Sequence, residues 1–200
     1  MKHKGIKVSV IALLVIAAMV ASYFAYQQHA YKTMMDNFFA SSEKTVEIAN
    51  TQGDNIKDSM HIIKQIWHDS RYDIDKEETT RFVYDKNGHR YKFKKAMAVL
   101  QKDKQYKKMF DELKQANKDL EEIKQVLNGI VIDELPNEYH NYYGALLTLI
   151  HEYQGMLDTI IDVDNQEDME NYFDRAYENL NDTIAQFQVE ASAITSAQAD

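Results

Sequence analysis

The stretch "YKKMFDELKQANKDLEEIKQVLNG" (106–129) decides the fold, because its apolar residues recur at intervals of three and four. The apolar residues of this pattern are Tyr106, Met109, Leu113, Ala116, Leu120, Ile123 and Leu127. On a helix they would form one apolar stripe opposite a charged face. Asn128-Gly129 ends the pattern, and a glycine in the left-handed conformation closes many helices. The segment therefore predicts an amphipathic helix that must pack against a partner.

Three other segments have the same spacing and supply the partners. They run from Met35 to Trp67, from Pro136 to Ile161 and, after a cap at Asp164 or Asn165, from Met169 to Ile194. Short connections make sequential helices pack side by side, which predicts an all-α antiparallel bundle of about three to four long helices. The bundle would occupy 31–196 and leave a flexible C-terminus at 197–200. The alternative is a coiled coil that forms a homo-oligomer. It is not favoured, because the apolar stripe at 136–161 is too broad for a two-stranded seam.

The stretch "RFVYDKNGHRYKF" (81–93) interrupts the helical pattern with aromatic and β-branched residues. Its centre, 85–88, suits a turn that ends on a left-handed glycine. Pairing Tyr84 with His89 would then give a small β-hairpin across 81–93. The alternative is a surface loop that leads into a helix beginning near Tyr91.

The stretch "GIKVSVIALLVIAAMVASYFAY" (5–26) predicts a transmembrane signal-anchor helix at 8–30, where no Lys, Arg, Asp or Glu occurs. The residues 8–26 would span about 28 Å, close to the roughly 30 Å thickness of bilayer hydrocarbon. The residues 20–22 make a mediocre signal-peptidase site, so retention is favoured over cleavage. The alternative is a removed signal peptide and a mature chain that begins at Tyr23.

Basic residues around this helix predict its orientation. Lys2, Lys4 and Lys7 precede it, whereas only Lys32 follows it closely. The positive-inside rule therefore predicts a short cytoplasmic tail at 1–7 and an extracellular C-terminal domain, in a single-pass protein of the cell membrane. Aromatic side chains that would lie at the outer membrane interface are Tyr23, Phe24, Tyr26 and Tyr31.

Composition and spacing argue against most catalytic and metal-binding sites. The chain has no cysteine, which excludes disulfides, thiol nucleophiles and thiolate metal ligands. His61 and His68 are too far apart on one helix to share an ion, and 162–173 lacks the glycine and the final glutamate of a calcium loop. No nucleophile elbow or phosphate-binding glycine loop occurs. We therefore expect no catalytic residue, no metal, no cofactor and no enzymatic activity.

Charge is distributed very unevenly along the chain. The residues 81–108 contain ten Lys and Arg against two acids, whereas 109–200 contain four against twenty. The basic segment could form a surface for anionic wall polymer or lipid headgroups. Alternatively, it could neutralise the acidic helices predicted at 136–161 and 169–194 within the same bundle, and this is the outcome we expect. The net negative charge and the predicted export argue against nucleic acid. The candidate residues for an anionic surface are Arg81, Arg90, Lys92, Lys94 and Lys95.

The stretch "LPNEYHNYYGALLTLIHEY" (135–153) carries a resemblance. Its proline, spaced tyrosines and leucines, followed by a last amphipathic segment, resemble small, uncharacterised exported helical proteins of Gram-positive bacteria. The resemblance covers about 95–190 and implies a cell-surface location without any activity. The function expected from the sequence is a membrane-anchored, non-enzymatic binding or scaffolding module that contacts the cell envelope or a protein partner. The alternatives are a ligand-sensing ectodomain that acts through a membrane partner and, third, an envelope enzyme.

Overall fold

A computed structural model of the protein describes residues 3–72, 77–163 and 169–197, and the described part is helical without strands. This confirms the all-α class. The helices are α1 (His3–Arg71), α2 (Glu77–Val83), α3 (Phe93–Leu100), α4 (Lys107–Asn128), α5 (His140–Ile161) and α6 (Met169–Ala197). Short 3-10 turns at Ile132–Glu134 and Asn137–Tyr139 lie between α4 and α5.

Helix α4 packs antiparallel to α1. The amide of Asn55 donates to the carboxylate of Glu112 over 3.0 Å. Lys44, about three turns earlier on α1, lies 3.8 Å from Asp119, which comes later on α4. The long apolar stripe predicted for 106–127 faces this interface, and its leucines are fully buried.

Helix α5 runs in the same direction as α1. The hydroxyls of Ser42 and Tyr142 share a hydrogen bond. Further along both helices, the Tyr153 hydroxyl donates to the carbonyl of Ala49 over 3.2 Å. Burial raises the pKa of Tyr153, because the phenolate would lose its hydration in the core.

Helix α6 completes the bundle in the antiparallel direction. Near its beginning, Asp174 forms an ion pair of 2.5 Å with Lys64, close to the end of α1. Near its end, the Phe187 ring lies 5.1 Å from the ring of Tyr142, which is beside Ser42. The bundle therefore has a proximal end, towards the N-terminus of α1, and a distal end, at the C-terminus of α1.

The bundle core is made by the predicted stripes. Phe38, on the described part of α1, is fully buried, and so is Phe173 on α6. Other fully buried side chains are Ile63, Ile66, Phe110, Leu113, Leu120, Leu127 and Leu146. These side chains come from all four long helices, which confirms the predicted bundle.

The predicted β-hairpin at 81–93 is wrong. Helix α2 extends to Val83, and the pairing that follows is a single antiparallel bridge between Tyr84 and Arg90. Phe82 and Val83 are buried, so their β-type side chains fill the core from a helix instead of a strand. The left-handed glycine is present, since Gly88 has φ +80°. The alternative, a loop that leads into a helix, describes this region better.

Helix α4 ends differently from the expectation at Gly129. The φ of this glycine is −80°, so it does not adopt the left-handed conformation. Its N–H instead donates to the carbonyl of Val126 over 3.1 Å, and the N–H of Ile130 donates to Leu127 over 2.9 Å. The helix therefore closes with a tightened last turn.

Helix α1 is continuous from His3 to Arg71, so it includes both the predicted span at 8–30 and the bundle residues. Within the part of the chain that the structure describes, no helix is long and apolar enough to cross a membrane. The side chains of 1–23 lie outside the described residues, and with them most of the predicted span. The backbone of 164–168 and of 198–200 also lies outside, together with the predicted cap of the fourth segment and most of the predicted flexible C-terminus.

Candidate functional site

Helix α2 and the basic segment together form a cap on the distal end of the bundle, which we call the distal cap (residues 77–108). Helix α3 is held there by its buried face, made of Phe93, Ala96, Met97 and Leu100. The side-chain amide of Gln101 donates to the carbonyl of Ile161, at the end of α5, over 3.0 Å. Burying one face of so short a helix leaves its lysines on the opposite, exposed face.

A buried polar contact fastens α2 to α1. The hydroxyl of Thr79 donates to the carboxylate of Asp69, and both residues are almost completely buried. The second carboxylate oxygen of Asp69 lies 3.1 Å from Nδ1 of His68. Because a buried carboxylate needs donors, this contact fixes the position of α2 relative to the end of α1.

The turn between α2 and α3 is built around Asp85. Its carboxylate accepts hydrogen bonds from the backbone N–H groups of His89 and Asn87, at 2.9 and 2.8 Å. The hydrogen bond from His89 is the main reason why the pKa of Asp85 is lowered. Gly88 supplies the left-handed backbone that reverses the chain. The turn therefore returns the chain so that Arg90 lies beside Tyr84.

Aromatic rings order two of the predicted site residues. The guanidinium of Arg90 donates to the hydroxyl of Tyr84 over 3.0 and 3.2 Å and lies 5.6 Å from the ring centroid. The ammonium of Lys95 lies 5.7 Å from the ring of Tyr91. Such contacts hold both cations in place beside the turn.

Arg81 has a different environment from the other four residues. Its guanidinium donates to the side chain of Gln105 over 2.8 Å and lies 3.4 Å from Asp103. It also stacks 4.6 Å from the ring centroid of Phe82. Arg81 is therefore partly neutralised within the cap.

Lys92 and Lys94 are exposed, and neither has an ion-pair partner among the described residues. The ion pairs that the structure describes for 81–108 join residues of this segment to one another or to the start of α4. None of those described pairs joins the basic segment to α5 or α6.

A polar cleft lies beside the distal cap, and the sequence did not predict it. It has a volume of about 390 Å³ and lies between α1, α2 and the start of α4. Asp58, His61, Glu78, Gln105 and Tyr106 contribute to its walls. Burial raises the pKa of Tyr106. These residues come from three separate parts of the chain with no shared motif, so no sequence signal could have found the cleft.

The histidines make local contacts. Nε2 of His61 lies 2.7 Å from the side-chain amide of Gln65. In the described residues, no group of three His, Cys, Asp or Glu side chains is arranged to hold a metal ion. The calcium-like stretch 162–173 includes residues outside the described part.

The structure thus brings all five predicted basic residues into one cap. Arg90, Lys92, Lys94 and Lys95 lie in or just after its turn, whereas Arg81 faces the residues before α4. We call the first four residues the cationic face. Comparison with protein-family models, curated proteins and solved structures finds no match for this chain.

Proposed function

We propose that this protein is a membrane-anchored, extracellular helical bundle that binds an anionic component of the cell envelope through its cationic face, without catalysis. The observation that carries the proposal is the single helix α1, from His3 to Arg71, which joins the apolar N-terminal segment to the bundle. In a single-pass protein with a cytoplasmic N-terminus, this helix would place the bundle outside the membrane.

The length of α1 suggests which anionic component the cationic face meets. Ala30, the end of the predicted span, precedes Trp67 at the distal end by about 55 Å of helix at 1.5 Å per residue. Charges in physiological salt are screened beyond about 8 Å. With α1 upright, the cap lies far above the headgroups of its own membrane. An anionic wall polymer is therefore the better partner than lipid.

The arrangement of the cationic face also suits a repeating anion. Aromatic rings hold Arg90 and Lys95 in place. Lys92 and Lys94, which lie between them in the sequence, are exposed to solvent. Several cations within one turn and one short helix can contact successive phosphates or carboxylates of a polymer. Binding of this kind weakens as salt rises.

The anchor is tested by the mass of the mature protein. We expect the chain in the membrane fraction to retain residues 1–30, because 8–30 is uncharged and of bilayer length. Intact-mass measurement after alkaline extraction of membranes checks this. A mature chain that begins at Tyr23, or one that alkali releases, would contradict the anchor.

The cationic face is tested by reversing Lys92, Lys94 and Lys95 to Glu in the full chain, reconstituted in uncharged bilayers. We expect the wild type to bind soluble polyphosphate with an affinity that falls steeply with salt, and the variant to lose most of this binding. The melting temperature should change by less than about 2 °C, because exposed charges that have no ion-pair partner among the described residues contribute little to stability.

A matched control reverses three exposed lysines outside the cap, namely Lys57, Lys114 and Lys118. This control changes the net charge by the same amount as the cap variant. If it weakened polyphosphate binding as much as the cap variant does, the loss would reflect a general effect of charge. A different outcome is that the wild type does not bind the polymer and the cap variant is less stable than the wild type at low salt. That result would instead support neutralisation of the acidic helices by the basic segment.

A second candidate function is a ligand-sensing ectodomain that acts through a membrane partner. The polar cleft favours it, because about 390 Å³ is within the range of small-molecule sites. Its walls combine the carboxylates of Asp58 and Glu78 with the hydroxyl of Tyr106. An envelope enzyme ranks third, since the sequence contains no catalytic motif.

A further inference from the structure

The connection between α4 and α5 presents an apolar tip at the proximal end of the bundle. Val131 and Ile132 are neighbours in sequence, and their side chains are 54% and 41% exposed. Ile130 and Leu135 on either side are buried and hold the loop to the bundle. The N–H of Leu135 donates to the carbonyl of Ile132 over 3.0 Å, which rigidifies the tip. We call Val131 and Ile132 the proximal tip.

Contacts between α4 and α1 fix the height of this tip. Asp119 lies beside Lys44, and Asn128 ends α4 about 14 Å closer to the N-terminus of α1, at 1.5 Å per residue. This puts the end of α4 level with about residue 35 of α1. Beyond the tip, the ring of Tyr139 lies 5.5 Å from that of Phe39, which is consistent with this height.

Helix α6 reaches the same height on the other side of the bundle. Phe187 is beside Tyr142 and therefore level with Ser42. The ten residues from there to Ala197 descend about 15 Å further towards the N-terminus of α1. Exposed apolar or aromatic side chains in this part of the molecule include Tyr26, Tyr31, Phe39 and Val189.

We propose that the proximal tip inserts into the interface of the outer leaflet, beside the membrane helix, and so gives the bundle a second lipid contact. This inference rests on the proposed anchor. Since α1 is one helix, a span that ends at Ala30 puts the membrane surface within two turns of the height of the tip. Apolar side chains fixed at that height are removed from water by the lipid.

The charges beside the tip indicate how this contact works. Asp133 and Glu134 follow it directly and are exposed. They would repel an anionic surface, so the contact depends on burial of Val131 and Ile132 and not on headgroup charge. The insertion should therefore occur in uncharged phosphatidylcholine and change little with salt.

The experiment uses fluorescence of a single tryptophan in the full chain. Trp67 is the protein's only tryptophan and lies at the distal end. In a Trp67→Phe background, Ile132→Trp puts the probe on the tip, and Tyr172→Trp puts it on an equally exposed site of the distal end. Each variant is reconstituted in phosphatidylcholine vesicles with and without lipids brominated near the headgroup.

We expect brominated lipid to quench most of the emission of Ile132→Trp and to shift it to the blue, while Tyr172→Trp and wild-type Trp67 change little. A Val131→Trp variant should behave as Ile132→Trp does, and circular dichroism checks that each variant is folded.

Flotation after alkaline extraction reports the anchor separately. If the protein floats but both tip probes stay unquenched, the inference is wrong and the anchor remains. If quenching is equal at both ends, the bundle lies flat and the inference is also wrong. Failure to float overturns the proposed anchor itself.

Discussion

Replacing Phe38 with alanine is expected to lower the free energy of unfolding by about 3–5 kcal/mol, the usual loss for a buried phenylalanine. Phe38 is completely buried on α1. Its ring makes edge contacts with the rings of Tyr139 and Tyr142, both at 5.8 Å. The substitution would leave a cavity at the point where α1 meets α5, and it would remove two favourable aromatic pairs.

Phe39 provides a matched control, because it is the next residue on the same helix and its side chain is 43% exposed. Phe39→Ala should cost less, about 1–2 kcal/mol, because its ring is partly exposed but still contacts the ring of Tyr139. Denaturant unfolding of the full chain in detergent micelles, followed by the fluorescence of Trp67, measures both variants. Equal losses would show that Phe38 does not occupy the core contact described above.

The long helices could be predicted from the sequence, because the apolar residues that recur at helical spacing are the residues that become buried in the bundle. Leu113, Leu120 and Leu127 recur at heptad spacing in the sequence, and each is fully buried in the bundle. A stripe of that length needs partners, and short connections limit the arrangement to sequential neighbours. The sequence is also compatible with a first helix that continues directly from the apolar N-terminal segment, as α1 does, although Ser42 and Gly53 weaken its stripe.

The short elements of the distal cap could not be predicted in the same way. Phe82 and Val83 have strand propensity, yet they belong to α2 and are buried. Their conformation is decided by packing against α1, which a local pattern does not contain. The turn itself could be predicted, because a glycine at the end of a turn indicates the left-handed conformation that Gly88 adopts.

The candidate site shows the same division between local and tertiary information. Ten basic residues in 81–108 are visible in the sequence, and the structure gathers the predicted five in one cap. Which of them is paired depends on tertiary contacts, as the pairing of Arg81 with Gln105 and Asp103 illustrates. The polar cleft depends on three separate segments and is invisible to any single one.

The attachment of the cap to the bundle gives the second large effect. Thr79→Val is nearly isosteric, but it removes the hydroxyl that donates to the buried carboxylate of Asp69. We expect a loss of about 1–3 kcal/mol, because a buried acceptor that loses its donor retains its full desolvation cost. The neighbouring Thr80 is exposed, so Thr80→Val should change the stability by less than about 0.5 kcal/mol. Hydrogen exchange should be faster across 78–95 in the Thr79 variant alone.

A second substitution separates the hydrogen bond from simple packing. Replacing both partners with apolar groups removes the unsatisfied carboxylate, and such double changes are often close to neutral. Asp69→Leu combined with Thr79→Val should therefore be more stable than Thr79→Val alone. If the double variant is instead less stable by the sum of the two single losses, Asp69 and Thr79 act independently, and the cap is held to α1 by its apolar contacts rather than by this buried pair.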